Sequence, residues 1–257
     1  MNIRNIIKTI TVAGCLLATT QAIAEVRWGV ASEPYPPFAS KGADGKWVGW
    51  EIEIGDALCA AMNEECSWVE VSWDGIIPAL QSKKFDAIVA SMSITENRMK
   101  VINFSDKYYQ TPAVVVAPKS SDITASAEGV SGKVVGVQIS TTHAAFAEKH
   151  FSATADSIKP YQTADERNQD LVSGRVDAII GDSLAVSKFL ESETGACCEI
   201  KGEVSDVAVY GPGIGAGLRK EDTELRDKIN AAIEKIRADG TYEAISSKYF
   251  DFDIFGG

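Results

Sequence analysis

The chain has 257 residues, of which 45% are hydrophobic and 24% charged, with five cysteines and a formal charge of −11. That length suits one large domain or two modest ones. The acidity, with no basic stripe anywhere, argues against nucleic acid and anionic membrane as partners.

Residues 1–24 read as an export leader rather than part of the fold. Arg4 and Lys8 form a basic start, Ile10–Leu17 is mostly apolar, and Ala22-Ile23-Ala24 is a small-x-small site for cleavage before Glu25. The apolar run is too short to anchor in a bilayer. Val12-Ala13-Gly14-Cys15 also resembles a lipoprotein processing box, which would leave Cys15 lipidated. The short apolar stretch between Lys8 and Cys15 favours cleavage after Ala24, which takes the charge from −11 to −13. No second hydrophobic span follows, so the expected location is the periplasm.

Strands and helices then alternate, the pattern of an α/β fold with mainly parallel sheets. Val26–Ala31 is a predicted strand, and the proline-rich loop after it carries Glu33 and Tyr35. Lys41–Trp47 is a polar turn, Glu51–Met62 a helix, and Cys66–Val71 a strand leading to Trp73. On an unbroken helix Cys59 and Cys66 would lie about 10 Å apart, beyond bridging distance. Asn63-Glu64-Glu65 reads as a turn that makes closure possible, and an oxidising compartment favours a disulfide. Cys197 and Cys198 are adjacent, and either form a strained vicinal bridge or stay free.

Chemistry concentrates between Trp73 and Ser105. A helix (Ile76–Gln81), a basic turn and a buried strand (Phe85–Ala90) lead to Ser91, Ser93 and Thr95. Thr95 is placed to cap a helix carrying Arg98 in its first turn. Ligands of open α/β sheets lie beyond the carboxyl ends of the strands. Hydroxyls and a guanidinium there suit a carboxylate held by a charge-assisted pair. The plainer alternative is that Ser91 and Thr95 only cap and that Arg98 pairs with a surface acid.

Thr111–Pro118 is a strand leading away, after which the pattern repeats. Lys133–Gln138 is a strand, and Thr141 and Thr142 open a helix running from about His143 to His150. Ala164–Leu171 is another helix, and Ser173–Asp182 (SGRVDAIIGD) follows Ser82–Ser91 (SKKFDAIVAS) position by position. Ser91 and Asp182 are thereby equivalent, one from each half. The glycines of Tyr210–Leu218 suit a hinge or irregular strand. Thr223–Ala238 is a long amphipathic helix closed by Asp239-Gly240, and Tyr242–Tyr249 is a last short one.

A free amino acid presents a carboxylate, an ammonium and a side chain, and burying either charge costs several kcal/mol unless it is paired. Arg98 is a candidate base, and the helix opened by Thr141 and Thr142 offers amides and a favourable dipole. Asp182 either takes the ammonium or caps the Ser183–Leu190 helix. Tyr35 and Trp73 are either walls of a site or core.

The motifs WDGIIPAL, DAI, SxSITxxR, INFSDKYY and DGTYEAISSKYF resemble the bacterial extracellular solute-binding proteins of the polar amino-acid type, over nearly the whole mature chain. Within them the chain is most similar to lysine/arginine/ornithine, histidine and opine binders. The resemblance implies a two-lobed periplasmic binding protein with two hinge crossovers, lobe 1 from residues 25–111 and 211–257 and lobe 2 from 112–210. It implies a monomer that hands its amino acid to the permease of an inner-membrane ABC transporter, with no cofactor and no metal. A cysteine pair in these binders matches Cys59 and Cys66. Their positions matching Tyr35, Trp73, Ser91, Ser93, Arg98, Thr142 and Asp182 contact the ligand.

Departures bear on the substrate. Binders of lysine, arginine and ornithine carry an acid three residues before the tyrosine. Here Ser32 stands at that position, with Glu33 one residue later in a loop one residue longer. Ala90 replaces a serine of some relatives, and His143 follows the threonine pair. Cationic amino acids remain the first expectation, with opines or neutral polar amino acids as alternatives. An enzyme of the same fold, such as a dehydratase, would need an acid or base beyond this clamp. His143 and His150 are the only histidines, no nucleophilic triad or metal-spaced cluster is apparent, and no membrane helix follows Gly257. A binder, rather than an enzyme or a receptor domain, is expected.

Overall fold

The computed structural model describes residues 25–256, so the expected leader, with Cys15 and the Ala24 cleavage point, lies outside them. The chain opens with β1 (Glu25–Ala31), which buries Val26, Trp28 and Val30. A small hairpin of β2 (Ser40–Lys41) and β3 (Trp47–Val48) follows. Helix α1 (Trp50–Met62) ends at Asn63, whose φ of 58° reverses the chain into β4 (Glu65–Val71). That reversal brings the α-carbons of Cys59 and Cys66 to 6.2 Å, and the two are bridged. A short 3₁₀ turn from Trp73 feeds α2 (Ile76–Gln81), β5 (Ala87–Ile88), α3 (Glu96–Met99) and β6 (Asn103–Tyr109).

The chain then crosses into a second α/β unit. It contains β7 (Ala113–Pro118), β8 (Val134–Gln138), α4 (Thr142–His150), β9 (Ser157–Tyr161), α5 (Ala164–Val172) and β10 (Ala178–Asp182). It closes with α6 (Ser183–Leu190), β11 (Cys198–Val204) and α7 (Val207–Tyr210). The return path is β12 (Ile214–Leu218), α8 (Thr223–Ala238) and α9 (Thr241–Ser246). These last helices pack on the first unit. Trp50 Nε1 donates to Ser246 Oγ at 3.0 Å and Tyr242 OH to the Tyr108 carbonyl at 2.7 Å, while Ile229, Ile233 and Ile236 join its core.

The sheet orders are β4-β1-β5-β12-β6 and β11-β7-β10-β8-β9. Helix-linked neighbours pair parallel, but β12 is antiparallel to β5 and β6, and β7 to β10 and β11. Both sheets are therefore mixed rather than mainly parallel. The reason lies in the strands that carry the chain between the units, which enter each sheet against the local direction.

Other expectations shift at the edges. The strand read as Phe85–Ala90 pairs only over Ala87–Ile88. The Phe85 carbonyl accepts from Arg219 at 2.7 Å instead, and its ring lies against Gly29, where a β-carbon would sit 2.4 Å from it. Strands β2, β3, β6, β9 and β11 and helix α7 were not expected from the sequence. None of the described helices is long and apolar enough to cross a membrane.

Candidate functional site

Strands β5 and β10 occupy the third position of their sheets, and the repeated segments place Ser91 and Asp182 just beyond or at their carboxyl ends. Loops leaving β1, β4 and β8 converge on the same place. The result is a cavity between the units, enclosing about 710 Å³ including its open mouth. Glu33, Tyr35, Trp73, Ser91, Ser93, Arg98, Thr141, Thr142 and Asp182 all line it.

Glu33 and Ser32 divide as the loop dictates. The Ser32 amide donates to the Val71 carbonyl at 2.9 Å and its side chain is exposed. Glu33 turns inward, and both its carboxylate oxygens lie within reach of the Trp73 amide, at 3.2 and 3.3 Å. Tyr35 stacks on Phe38 and donates its hydroxyl across the cleft to Asp182 Oδ2 at 2.5 Å. Burial, and then the Asp182 charge, hold the Tyr35 phenol protonated far above its ordinary range.

Ser91 sits at φ 54°, a conformation open to few non-glycine residues, and a buried acid holds it there. Its amide and hydroxyl donate to the two oxygens of Glu51 at 2.8 and 2.9 Å, and Tyr108 donates to the same carboxylate. Burial raises the Glu51 pKa against these donors. With its proton committed to Glu51, the Ser91 oxygen is left as an acceptor, which suits an ammonium. Glu51 also lines the cavity.

Arg98 projects from α3, whose N-cap is Thr95: the Arg98 amide donates to Thr95 Oγ1 at 3.2 Å. The guanidinium donates to the Ser93 carbonyl at 2.9 Å and, across the cleft, to the Ser140 carbonyl at 3.1 Å. It lies 5.4 Å from the Trp73 ring centre, so the aromatic face supports the cation. Burial pulls its pKa down to about 10, against the attraction of Asp182, and it stays charged at neutral pH.

From the second unit, Thr141 caps α4. Its hydroxyl accepts the Ala144 amide at 3.1 Å and donates to the Gln138 carbonyl at 2.7 Å. The amides of Thr142 and His143 in that first turn have no intrahelical partner and carry the positive end of the dipole. Asp182 stands at the N-cap of α6 yet makes no capping bond. Its carboxylate instead meets Tyr35, and His143 Nε2 lies 3.3 Å from Oδ1, close enough for an ion pair but not aligned as a hydrogen bond.

Glu51 and Arg167 also belong to this lining, and sequence reasoning missed both. Glu51 in the first turn of a helix reads as a surface acid favoured by the dipole. Arg167, between Glu166 and Asn168 in a polar helix, reads as a solvated base, yet it is only 3% exposed. Cys59, Cys66, Cys197 and Cys198 are not part of the lining. The last two are free thiols with their sulfurs 2.7 Å apart, and burial pushes the Cys198 thiol up to about 12.

Two arginines, the helix amides, three carboxylates and aromatic walls can together hold a small zwitterion with a charged side chain. Residues 26–252 match the sequence profile of the bacterial extracellular solute-binding proteins, family 3. The chain is similar to the histidine-binding periplasmic protein of Escherichia coli, 43% identical over 231 residues and 89% of each chain. It is also similar to the L-arginine-binding protein of Pseudomonas aeruginosa, 39% identical over 242 residues and 93% of each. Among solved structures, an ancestral arginine-binding protein bound to arginine matches with a TM-score of 0.80 at 36% identity, over 88% of this chain and 98% of that one.

Proposed function

The chain belongs to family 3 of the bacterial extracellular solute-binding proteins and has their two-lobed fold, and from that premise we propose that it captures a cationic amino acid in the periplasm for an inner-membrane ABC importer. Export follows cleavage after Ala24, and the protein works as a monomer against the importer's permease. The moving bodies are residues 25–111 with 211–257, and residues 112–210, hinged at the two crossovers. Arg98 and the first-turn amides of α4 take the α-carboxylate. Asp182 and the Ser91 oxygen take the ammonium, Glu33 takes the distal cation, and Tyr35 and Trp73 enclose the aliphatic stem.

What supports this reading most is Glu33, an acid on the cavity wall in addition to Asp182 and to Glu51, whose carboxylate is already taken up by Ser91 and Tyr108. A zwitterionic head group uses Arg98 and Asp182 and leaves that carboxylate to be matched by a side-chain cation. A neutral polar amino acid is the second reading, because the Glu33 carboxylate already accepts the Trp73 amide. Ligands touching both lobes favour the closed form.

Titration calorimetry with arginine, lysine, ornithine, histidine and glutamine decides between the two. Glu33→Gln is expected to weaken arginine or lysine binding at least about tenfold more than glutamine binding. An equal loss for both, or a wild-type preference for glutamine, would remove the cationic assignment. Failure to bind any amino acid would remove the amino-acid reading itself.

A further inference from the structure

Two cysteines stand side by side in the second unit, and the ligand cavity uses neither. Cys197 ends a 3₁₀ turn (Gly195–Cys197) after α6, and Cys198 opens β11 with extended backbone, φ −121° and ψ 167°. Across that step from turn to strand the two sulfurs lie 2.7 Å apart. The turn is tied down on both sides. The Gly195 amide donates to Ser192 Oγ at 3.1 Å, the Lys119 amide to the Cys197 carbonyl at 2.9 Å, and Lys119 Nζ to the Ala196 carbonyl at 2.9 Å. Cys198 is then held opposite Pro118 where β11 pairs with β7. Two thiols are thus kept in contact by the backbone, before any bond joins them.

The two sulfurs differ in what can reach them. Cys197 is exposed, while Cys198 is buried in a cluster with Val114, Val116 and Leu171. Burial, and then the bond with Cys197, push the Cys198 thiol up to about 12, against the pull of Lys119 and Lys201. An incoming reagent therefore meets Cys197, and Cys198 is the neighbour placed to resolve the product. The bridged Cys59 and Cys66 have α-carbons 6.2 Å apart, inside the roughly 4.4–6.8 Å that relaxed disulfides span. Adjacent residues hold their α-carbons about 3.8 Å apart across a trans peptide, short of that range. A bridge between them closes a tight ring, takes little loop entropy from the unfolded chain, and is the more easily reduced.

We propose that Cys197 and Cys198 form a two-electron thiol–disulfide site, oxidised at Cys197 by a disulfide-bearing reagent and reduced again more readily than Cys59–Cys66. The Cys197 thiolate attacks one sulfur of the oxidant, forming a mixed disulfide and releasing the oxidant's other sulfur as a thiolate. Cys198 Sγ then attacks Cys197 Sγ, gives up its proton and expels the first sulfur. In sum two thiols lose two electrons and two protons, and the oxidant's disulfide becomes two thiols.

The test uses the full mature protein in dithiothreitol buffers of graded reduced-to-oxidised ratio, quenched with acid, alkylated and mapped by mass spectrometry. Trypsin releases both cysteines in one peptide, residues 189–201. Under oxidising ratios that peptide is expected to be lighter by two hydrogens and closed to alkylation. Its half-reduction should need at least about tenfold less reduced reagent than that of Cys59–Cys66, a difference of about 30 mV for a two-electron couple. With glutathione disulfide as oxidant, Cys198→Ser should stop at a mixed disulfide on Cys197, and Cys197→Ser should leave Cys198 unmodified in the folded protein. Two alkylated thiols under ratios where Cys59–Cys66 is fully bridged would overturn the inference. So would wild type that stops at a glutathione adduct, dimers joined through Cys197, or a pair no easier to reduce than Cys59–Cys66. Where a serine variant does not fold, the wild-type measurements alone decide.

Discussion

Replacing Arg98 by alanine tests the ligand clamp at its most heavily connected point. The guanidinium makes one bond within its own unit, to Ser93 O at 2.9 Å, and one across the cleft, to Ser140 O at 3.1 Å. On the proposed clamp, removing it would leave the ligand carboxylate with only helix amides, at a cost of about 2–5 kcal/mol for a partly buried charge without its partner. The cross-cleft bond to a neutral carbonyl is worth about 1 kcal/mol within that range, and is lost only from the closed form. Affinity should therefore fall roughly 30-fold to several-thousand-fold. Arg98→Lys, which keeps the charge but loses the planar fork, should fall between wild type and alanine. Calorimetry against arginine and lysine reads the change, with thermal unfolding to confirm that each variant is folded. A folded Arg98→Ala protein within about threefold of wild type would refute the clamp and leave Arg98 as a tie between Ser93 and Ser140.

Three further outcomes are expected away from the ligand. Replacing both Cys59 and Cys66 by alanine should cost about 2–3 kcal/mol of stability, and peptide mapping without reductant should recover the two as one bridged species. Gly211→Ala should destabilise by at least about 2 kcal/mol. Its φ is +73° and a β-carbon would lie 1.8 Å from the Ile94 carbonyl, so denaturant unfolding with an unchanged midpoint would count against the placement of this crossover. Asp206 takes Lys149 and His150 at 2.7 Å each, and these bonds hold its carboxyl down to about 2. Its contribution is complete above the unfolded value of about 4 and is lost as the pH falls through the folded one. The difference in melting temperature between wild type and Asp206→Asn should thus be constant near neutrality and close between pH 4 and 2, and a difference that persists at the acid end would contradict this.

Much of this was legible in the residues, because strand ends are where α/β sheets collect ligands and the chain marks those ends with polar residues. The repeat between Ser82–Ser91 and Ser173–Asp182 pointed to two matched units, and its last positions do meet at one cavity. Thr95 and Thr141 were readable as caps because capping is local, needing only a hydroxyl and an amide three residues on. Glu51 and Arg167 were not readable, since each looks like an ordinary helical surface residue until the far side of the sheet is known. The choice between Ser32 and Glu33 depended on a one-residue loop shift, set by the bond from the Ser32 amide to Val71 and by the Trp73 amide meeting the Glu33 carboxylate. Strand pairing sense failed for the same reason. Nothing in the composition of β12 says that it inserts between β5 and β6 against both.

That insertion sets the order in which the molecule can be built. Every strand of the second sheet lies between residues 113 and 204, so its chain is complete before the last fifth has been made. The first sheet cannot close so early. Strands β5 and β6 touch only through β12, which comes more than a hundred residues after them. Until that strand arrives, β5 has an open edge and the core side of β6 has no partner, the condition that invites wrong pairing and aggregation. A search across so long a loop makes docking of β12, rather than formation of either unit's helices, the natural slow step of folding. The strand that returns the chain to the first sheet therefore obliges it to fold from its middle outwards, with its N-terminal third waiting for its C-terminus.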